Sequence, residues 1–196
     1  VGGQGTLLAA DVIALVGMEQ GHDVKKSEVH GMAQRGGSVT SHVRWGKRVY
    51  SPVIGSGEVD YFVAFERLEA LRYAHMLRPE GTLLINDYRI SPVSVSSGDD
   101  LYPTPAQEEL AYQPLAGRVH YVPAIDLARE LGNPRVNNVV MLGALSALLN
   151  VPQETWLAVV ARRVPERYVE LNQRAFIVGR ERMMDRLSGG GERYAN

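Results

Sequence analysis

The sequence predicts an α/β fold, a three-layer α/β/α sandwich built on a Rossmann-like mixed sheet with an antiparallel hairpin and C-terminal helices. Three observations lead there. A glycine-bearing loop runs into a strictly alternating strand at Ser38 to Trp45, a strand–helix–strand unit occupies Asp60 to Asn86, and three helix-like segments in succession close the chain.

The glycine turn Gly2-Gly3-Gln4-Gly5 opens a helix over Thr6 to Gly17, whose apolar face holds Leu7, Leu8, Val12, Leu15 and Val16. The turn is a loop signature with no strand in front of it, and residues ahead of Val1 are expected. His22 to Val29 reads as a short strand and Gly31 to Gly37 as a loop. From Ser38 the side chains alternate: Val39, Ser41, Val43 and Trp45 on one face, Ser38, Thr40, His42 and Arg44 on the other. Gly46-Lys47 predicts a hairpin turn into a partner strand over Arg48 to Ile54.

Asp60 to Glu66 is a mostly apolar strand, Leu68, Leu71 and Ala74 mark a helix, and Pro79-Glu80-Gly81 turns the chain into a strand over Thr82 to Asn86. The pair should be parallel, joined by a right-handed crossover. Ile90 to Pro105 is rich in Ser, Pro, Gly and Asp and predicts a loop with an extended piece at Val93 to Val95. A helix at Gln107 to Gln113, a strand at Arg118 to Pro123 and a helix at Ile125 to Leu131 follow. Val136 to Leu149 is apolar nearly all round and belongs in the core. Pro152 and Pro165 suit first helical turns, giving helices over Gln153 to Arg163 and Glu166 to Leu187.

Composition narrows the function. At 196 residues with 45% hydrophobic residues the chain predicts one domain over 1–187, with 188–196 as a Gly-rich tail. A formal charge of −1 drawn from interspersed signs gives no footprint for nucleic acid or an anionic membrane. With no cysteine the chain has no thiolates for disulfides, a Cys-ligated zinc or an iron–sulfur cluster. The longest apolar run, Val139 to Leu149, is too short to span a bilayer, and a cytoplasmic protein is expected.

Several groups are candidates for chemistry. The glycine turn brings backbone N–H groups to a helix N-terminus, a favourable setting for an anion. A nicotinamide-binding fold would want an acidic residue after the second strand; Glu28 is available, but Lys25 and Lys26 make a poor context for it. His30 and His42, with Glu28 to orient one of them, would suit acid–base work, or they are ordinary hydrogen-bonded histidines. Arg35 and Arg44 suit a phosphate or carboxylate, or an acidic group at a subunit interface. Glu66, Asn86 and Asp87 end predicted parallel strands, where α/β sheets bind ligands and where such residues also cap and turn the chain. The polar face of Ser38 to Arg44 is either a ligand or partner surface or the wet side of an antiparallel sheet.

The VGGQG turn, SEVHGMAQRGGSVTSHVRWG, VAFERLEALR, NNVVMLGALSALL and VELNQRAFIVG together resemble the gamma-type subunit of the 2-oxoacid:ferredoxin oxidoreductases, over Val1 to about Gly179. Ser27 to Arg44 looks most like the beta subunits of the indolepyruvate branch. The resemblance implies a subunit, without catalytic residues of its own, of an enzyme that oxidatively decarboxylates a 2-oxoacid to an acyl-CoA and passes electrons to ferredoxin. Thiamine diphosphate, magnesium and iron–sulfur clusters would then reside on a large partner subunit, with ferredoxin reached through the complex and coenzyme A as co-substrate. The resemblance assigns Gly2, Gly3, Gln4, Gly5 and Thr6 to coenzyme A, and Arg35, Gly36, Gly37, Ser38, Thr40, His42 and Arg44 to a substrate or partner wall. Pyruvate-type relatives carry an Asn-Lys pair early in the first helix, where this chain has Ala9, Ala10 and Asp11. Contact with a phosphate would here rest on backbone N–H groups and Arg35. The alternative is a stand-alone nucleotide- or coenzyme-binding Rossmann-like module, and the isolated chain is a candidate homodimer.

Overall fold

A computed structural model describes residues 3–30, 38–98, 101–113 and 118–189. Helix α1 (Thr6–Glu19) leads to β1 (Asp23–His30) and β2 (Val39–Gly46), then β3 (Val59–Ala64), α2 (Arg67–Tyr73) and β4 (Leu77–Asn86). Next come α3 (Val93–Ser96), α4 (Pro105–Tyr112), β5 (Val119–Val122) and α5 (Ala124–Glu130), and finally α6 (Asn137–Ser146), α7 (Gln153–Arg163) and α8 (Val169–Ser188).

The α/β class and the antiparallel and parallel parts of the sheet are as the sequence predicts, but the strands form two sheets. β1 and β2 make an antiparallel pair in register from Asp23 opposite Gly46 to His30 opposite Val39. β3, β4 and β5 make a parallel sheet in that order. β4 shows how the layers divide. Leu84 packs with residues of α1 and α5 to α8, whereas Leu83 and Ile85 pack with Ala70 of α2 and Tyr112 of α4. Alternate side chains of one strand thus serve two helical layers.

The α6–α8 crossing is the tightest seam. A Cβ on Gly143 would fall 2.0 Å from the Phe176 carbonyl oxygen, and one on Gly179 would fall 1.9 Å from that of Val140. Each glycine lets the other helix's backbone approach. Phe176 stacks on Trp156 with ring centroids 6.0 Å apart, and both are fully buried.

Three expectations are corrected. The hairpin predicted at Gly46-Lys47 is absent, and the partner of β2 is β1. Side chains of that pair take the backbone groups a third strand would have used: His42 Nδ1 accepts from Ile54 N at 3.0 Å, Arg44 Nη1 donates to Val53 O at 3.0 Å, and Asp23 Oδ2 accepts from Val49 N at 2.9 Å. Pro79-Glu80-Gly81 lies within β4, where the register with β3 shifts between Val59 and Tyr61. A Cβ on Gly81 would sit 2.8 Å from Val59 O, so glycine permits the close passage. The extended piece expected at Val93 to Val95 is a turn of helix, begun by Pro92, whose carbonyl accepts from Val95 N and Ser96 N at 3.1 and 3.0 Å.

Candidate functional site

The glycine turn reaches the carboxyl end of the parallel sheet. Gly3 and Gly5 have φ of 98° and 74°, a left-handed conformation that glycine adopts without strain. Gly5 is the N-cap of α1 and makes no side-chain cap, which leaves the first N–H groups of the helix without a capping side chain. Two amides hold the turn. Gln4 Nε2 donates to Phe65 O at 2.8 Å, just beyond β3, and Asn138 Nδ2 of α6 donates to Gly5 O at 3.3 Å. A Cβ on Gly5 would fall 2.3 Å from that same Nδ2. Gly2 lies outside the described residues, and Thr6 is the first residue of α1.

Asn86 Nδ2 also donates to Phe65 O, at 3.2 Å, while its Oδ1 is buried and finds no partner among the described residues. Glu66, buried at the N-cap of α2, accepts from Glu69 N at 3.0 Å, from Ile90 N at 3.1 Å and from the Tyr102 hydroxyl. Burial, and then the bond to Glu66, push the Tyr102 phenol well above its ordinary range, so it remains a donor. Arg67 lies 2.6 Å from buried Glu108 and 3.0 Å from Asp87, and its guanidinium covers the Tyr121 ring at 4.8 Å. Glu69 accepts from Ser38 and from Arg72, the latter at 2.7 Å. Each of these carboxylates has at least one partner, while Glu108 Oε1 is buried without one among the described residues.

The polar face of β2 is likewise engaged. Ser38 bonds Glu69 and lies 2.9 Å from the Tyr73 hydroxyl, and His42 and Arg44 hold the 53–54 backbone. Burial lowers the His42 pKa, which suits its role as an acceptor. His42 stands opposite Ser27, whereas His30 stands opposite Val39, three rungs away. At about 3.4 Å per residue that is about 10 Å along the strand, so the register does not bring the two together. Lys26 takes Glu28 at 2.7 Å. Arg35, Gly36 and Gly37 lie outside the described residues.

Asp11 shows what the helix does without the Asn-Lys pair. It joins Lys26 of β1, at 2.5 Å, and Arg163 of α7. Burial would raise its pKa, but the hydrogen bonds from Lys26 and Arg163 outweigh that and lower it. The residue ties α1 to its neighbours instead of facing the turn.

Asn138, Glu108 and Tyr102 were not singled out from the sequence. Asn138 is one of two asparagines at the head of an otherwise apolar helix, and a buried amide there is a signal in itself. Tyr102 lies in a loop and carries no pattern. A cavity of about 550 Å³ opens between β2 and β3, with Thr6 at its wall. No group of three or more His, Asp or Glu that could hold a metal occurs among the described residues, and none of their helices is long and apolar enough to cross a membrane.

Comparison with known proteins agrees with this architecture. The indolepyruvate oxidoreductase subunit IorB of Thermococcus kodakarensis is 38% identical over 182 residues, covering 91% of this chain and 90% of that protein. The IorB subunit of Archaeoglobus fulgidus is 36% identical over 181 residues, again covering 91% and 90%. The gamma subunit of a keto/oxoacid ferredoxin oxidoreductase from Geobacter sulfurreducens superposes with a TM-score of 0.68 at 26% identity, covering 94% of each chain. The 2-oxoglutarate:ferredoxin oxidoreductase of Magnetococcus marinus shares the fold at a TM-score of 0.66 and 21% identity, over 93% of this chain but 29% of that one. The same fold therefore occurs both in a separate subunit and inside a longer polypeptide. Residues 1–182 match the pyruvate ferredoxin/flavodoxin oxidoreductase family, and the chain belongs to it.

Proposed function

We propose that the chain is the non-cofactor-bearing subunit of an enzyme that oxidatively decarboxylates indolepyruvate or a related arylpyruvate to its acyl-CoA, with ferredoxin as electron acceptor. The observation that carries this reading is the likeness to IorB subunits along nearly the full length of both chains. Thiamine diphosphate, magnesium and iron–sulfur clusters belong on a large partner subunit, since this chain has no cysteine and its site carboxylates are already paired. Its own contribution is a shaped surface. The turn at Gly3, Gln4, Gly5 and Thr6, with Gly2, faces coenzyme A and offers backbone N–H groups to an anion. Arg35, Gly36, Gly37, Ser38, Thr40, His42 and Arg44 are assigned to a wall that the partner completes.

The test is reconstitution. Co-expressed with the thiamine-binding subunit, the chain should form a stable complex that reduces a viologen dye with indolepyruvate and coenzyme A, and leaving the chain out should abolish turnover. A partner subunit fully active alone would refute the reading. In the assembled enzyme, Arg35→Ala separates two roles: loss of assembly marks a docking residue, and a raised KM with assembly intact marks a ligand wall.

A further inference from the structure

The three residues that end β3 and open α2 each hold a different part of the molecule. The Phe65 carbonyl accepts from Gln4 of the glycine turn at 2.8 Å. The Glu66 carboxylate, 1% exposed, accepts from Glu69 N at 3.0 Å, from Ile90 N at 3.1 Å and from the Tyr102 hydroxyl. Arg67 donates its backbone N–H to Tyr88 O at 3.1 Å, and its guanidinium lies 2.6 Å from Glu108. Tyr102 and Glu108 belong to the segment over 101–113, whose helix α4 buries only Glu108 and Tyr112. Little apolar area docks that helix, and both Glu108 Oε1 and the Tyr112 hydroxyl are buried without a partner among the described residues. Its bonds to Glu66 and Arg67 therefore matter to its placement.

We propose that Glu66 and Arg67 are positioning residues through which the 101–113 segment sets the geometry of the glycine turn. The Phe65 carbonyl lies in the planar peptide that ends at the Glu66 Cα, so the orientation of Glu66 decides where that oxygen points. Glu66 is extended, with φ −157° and ψ 146°, and its side chain is fixed by bonds to three separate segments. A buried carboxylate deprived of one donor is left with an unmet lone pair, and the side chain shifts to recover it, carrying the attached peptide along. α1 packs in the layer on one face of the parallel sheet and α4 in the layer on the other. The junction at 65–67 thus passes position from one layer to the other around the carboxyl end of the sheet. Its functional consequence rests on the reading that the turn faces coenzyme A: the 101–113 segment then governs affinity for the coenzyme and leaves the 2-oxoacid alone.

The test changes the far segment and reads the turn. Tyr102→Phe and Glu108→Gln leave the turn's own residues in place. In the isotope-labelled natural chain each should move the Gln4 side-chain amide resonances upfield, as the bond to Phe65 weakens. In the enzyme assembled with the thiamine-binding subunit, each should raise KM for coenzyme A about fivefold, with kcat and the KM for indolepyruvate unchanged. A double-mutant cycle is the decisive arm: in a Gln4→Ala background Tyr102→Phe should add nothing to KM for coenzyme A, because the link it acts through is gone. A role confined to stability would lower the melting temperature and leave the Gln4 amide where it is. That result, or additive effects in the cycle, would overturn the proposal. If one variant fails to fold, the other is read in the same way. The amide signal needs no turnover, which separates the two readings. Should it move while Gln4→Ala itself leaves KM for coenzyme A unchanged, the coupling stands and the coenzyme role of the turn falls.

Discussion

Helix α6 and strand β2 are opposites in how they meet the rest of the chain. All ten residues of α6 are buried, and its backbone touches that of α8 at two glycines. All eight residues of β2 are only partly buried, and one of its edges faces a cavity. The helical seam is closed by contacts within the described residues, which bury the strand only in part. Stability should therefore concentrate in the seam, and assembly in the hairpin and the turn beside it.

The sharpest way to break this contrast is Phe176→Ala, which removes a fully buried ring from its stack on Trp156. It should cost about 3–5 kcal/mol in chemical denaturation. Gly179→Ala comes next, at about 3 kcal/mol, because the added methyl meets the Val140 backbone at 1.9 Å and neither helix can yield locally. The sign is diagnostic, since the same change in an unconstrained helix stabilises by about 1 kcal/mol. Gly17→Ala is the matched control on the hairpin side. There the new methyl also falls at 1.9 Å, but against the Trp45 ring, which is only partly buried and can swing. The net change should stay within about 1 kcal/mol of zero; a loss as large as that of Gly179→Ala would erase the contrast.

Gln4→Ala should cost about 1 kcal/mol for its lost bond to Phe65. In the assembled enzyme it should raise the KM for coenzyme A with the complex intact. Smallest is a pH effect. Burial depresses the pKa of His42 below its ordinary 6.5 in the folded state, so its contribution to stability is complete above 6.5 and is lost as pH falls through the folded value. Melting temperature should fall between about pH 7.5 and about pH 5.5. His42→Gln should flatten part of that slope, the rest belonging to His120, whose pKa is lowered by burial and by Arg186.

Elements with long periodic patterns and a proline at the start were legible: α7 spans Gln153–Arg163 as its sequence suggests. The 48–54 segment was not, because its fate depends on side chains of another element capturing its backbone. The alternation of β2 divides its side chains between two faces but could not reveal what lies against them. The glycine turn was legible as a turn. Its anchor to Asn138 spans 133 positions, and no local pattern reports such a bond. For the same reason the paired state of the carboxylates at the sheet's end emerges only from the fold.

The Phe65 carbonyl serves two amides, Gln4 from the turn and Asn86 from the end of β4. A carbonyl oxygen has two lone pairs, and each donor draws on the electron density the other uses. Departure of Gln4 would therefore tighten the remaining Asn86 bond. The Asn86 side-chain amide is thus a built-in gauge: its proton resonances should shift downfield whenever a ligand or partner lifts the turn, registering the event from beneath without touching the surface where it occurs.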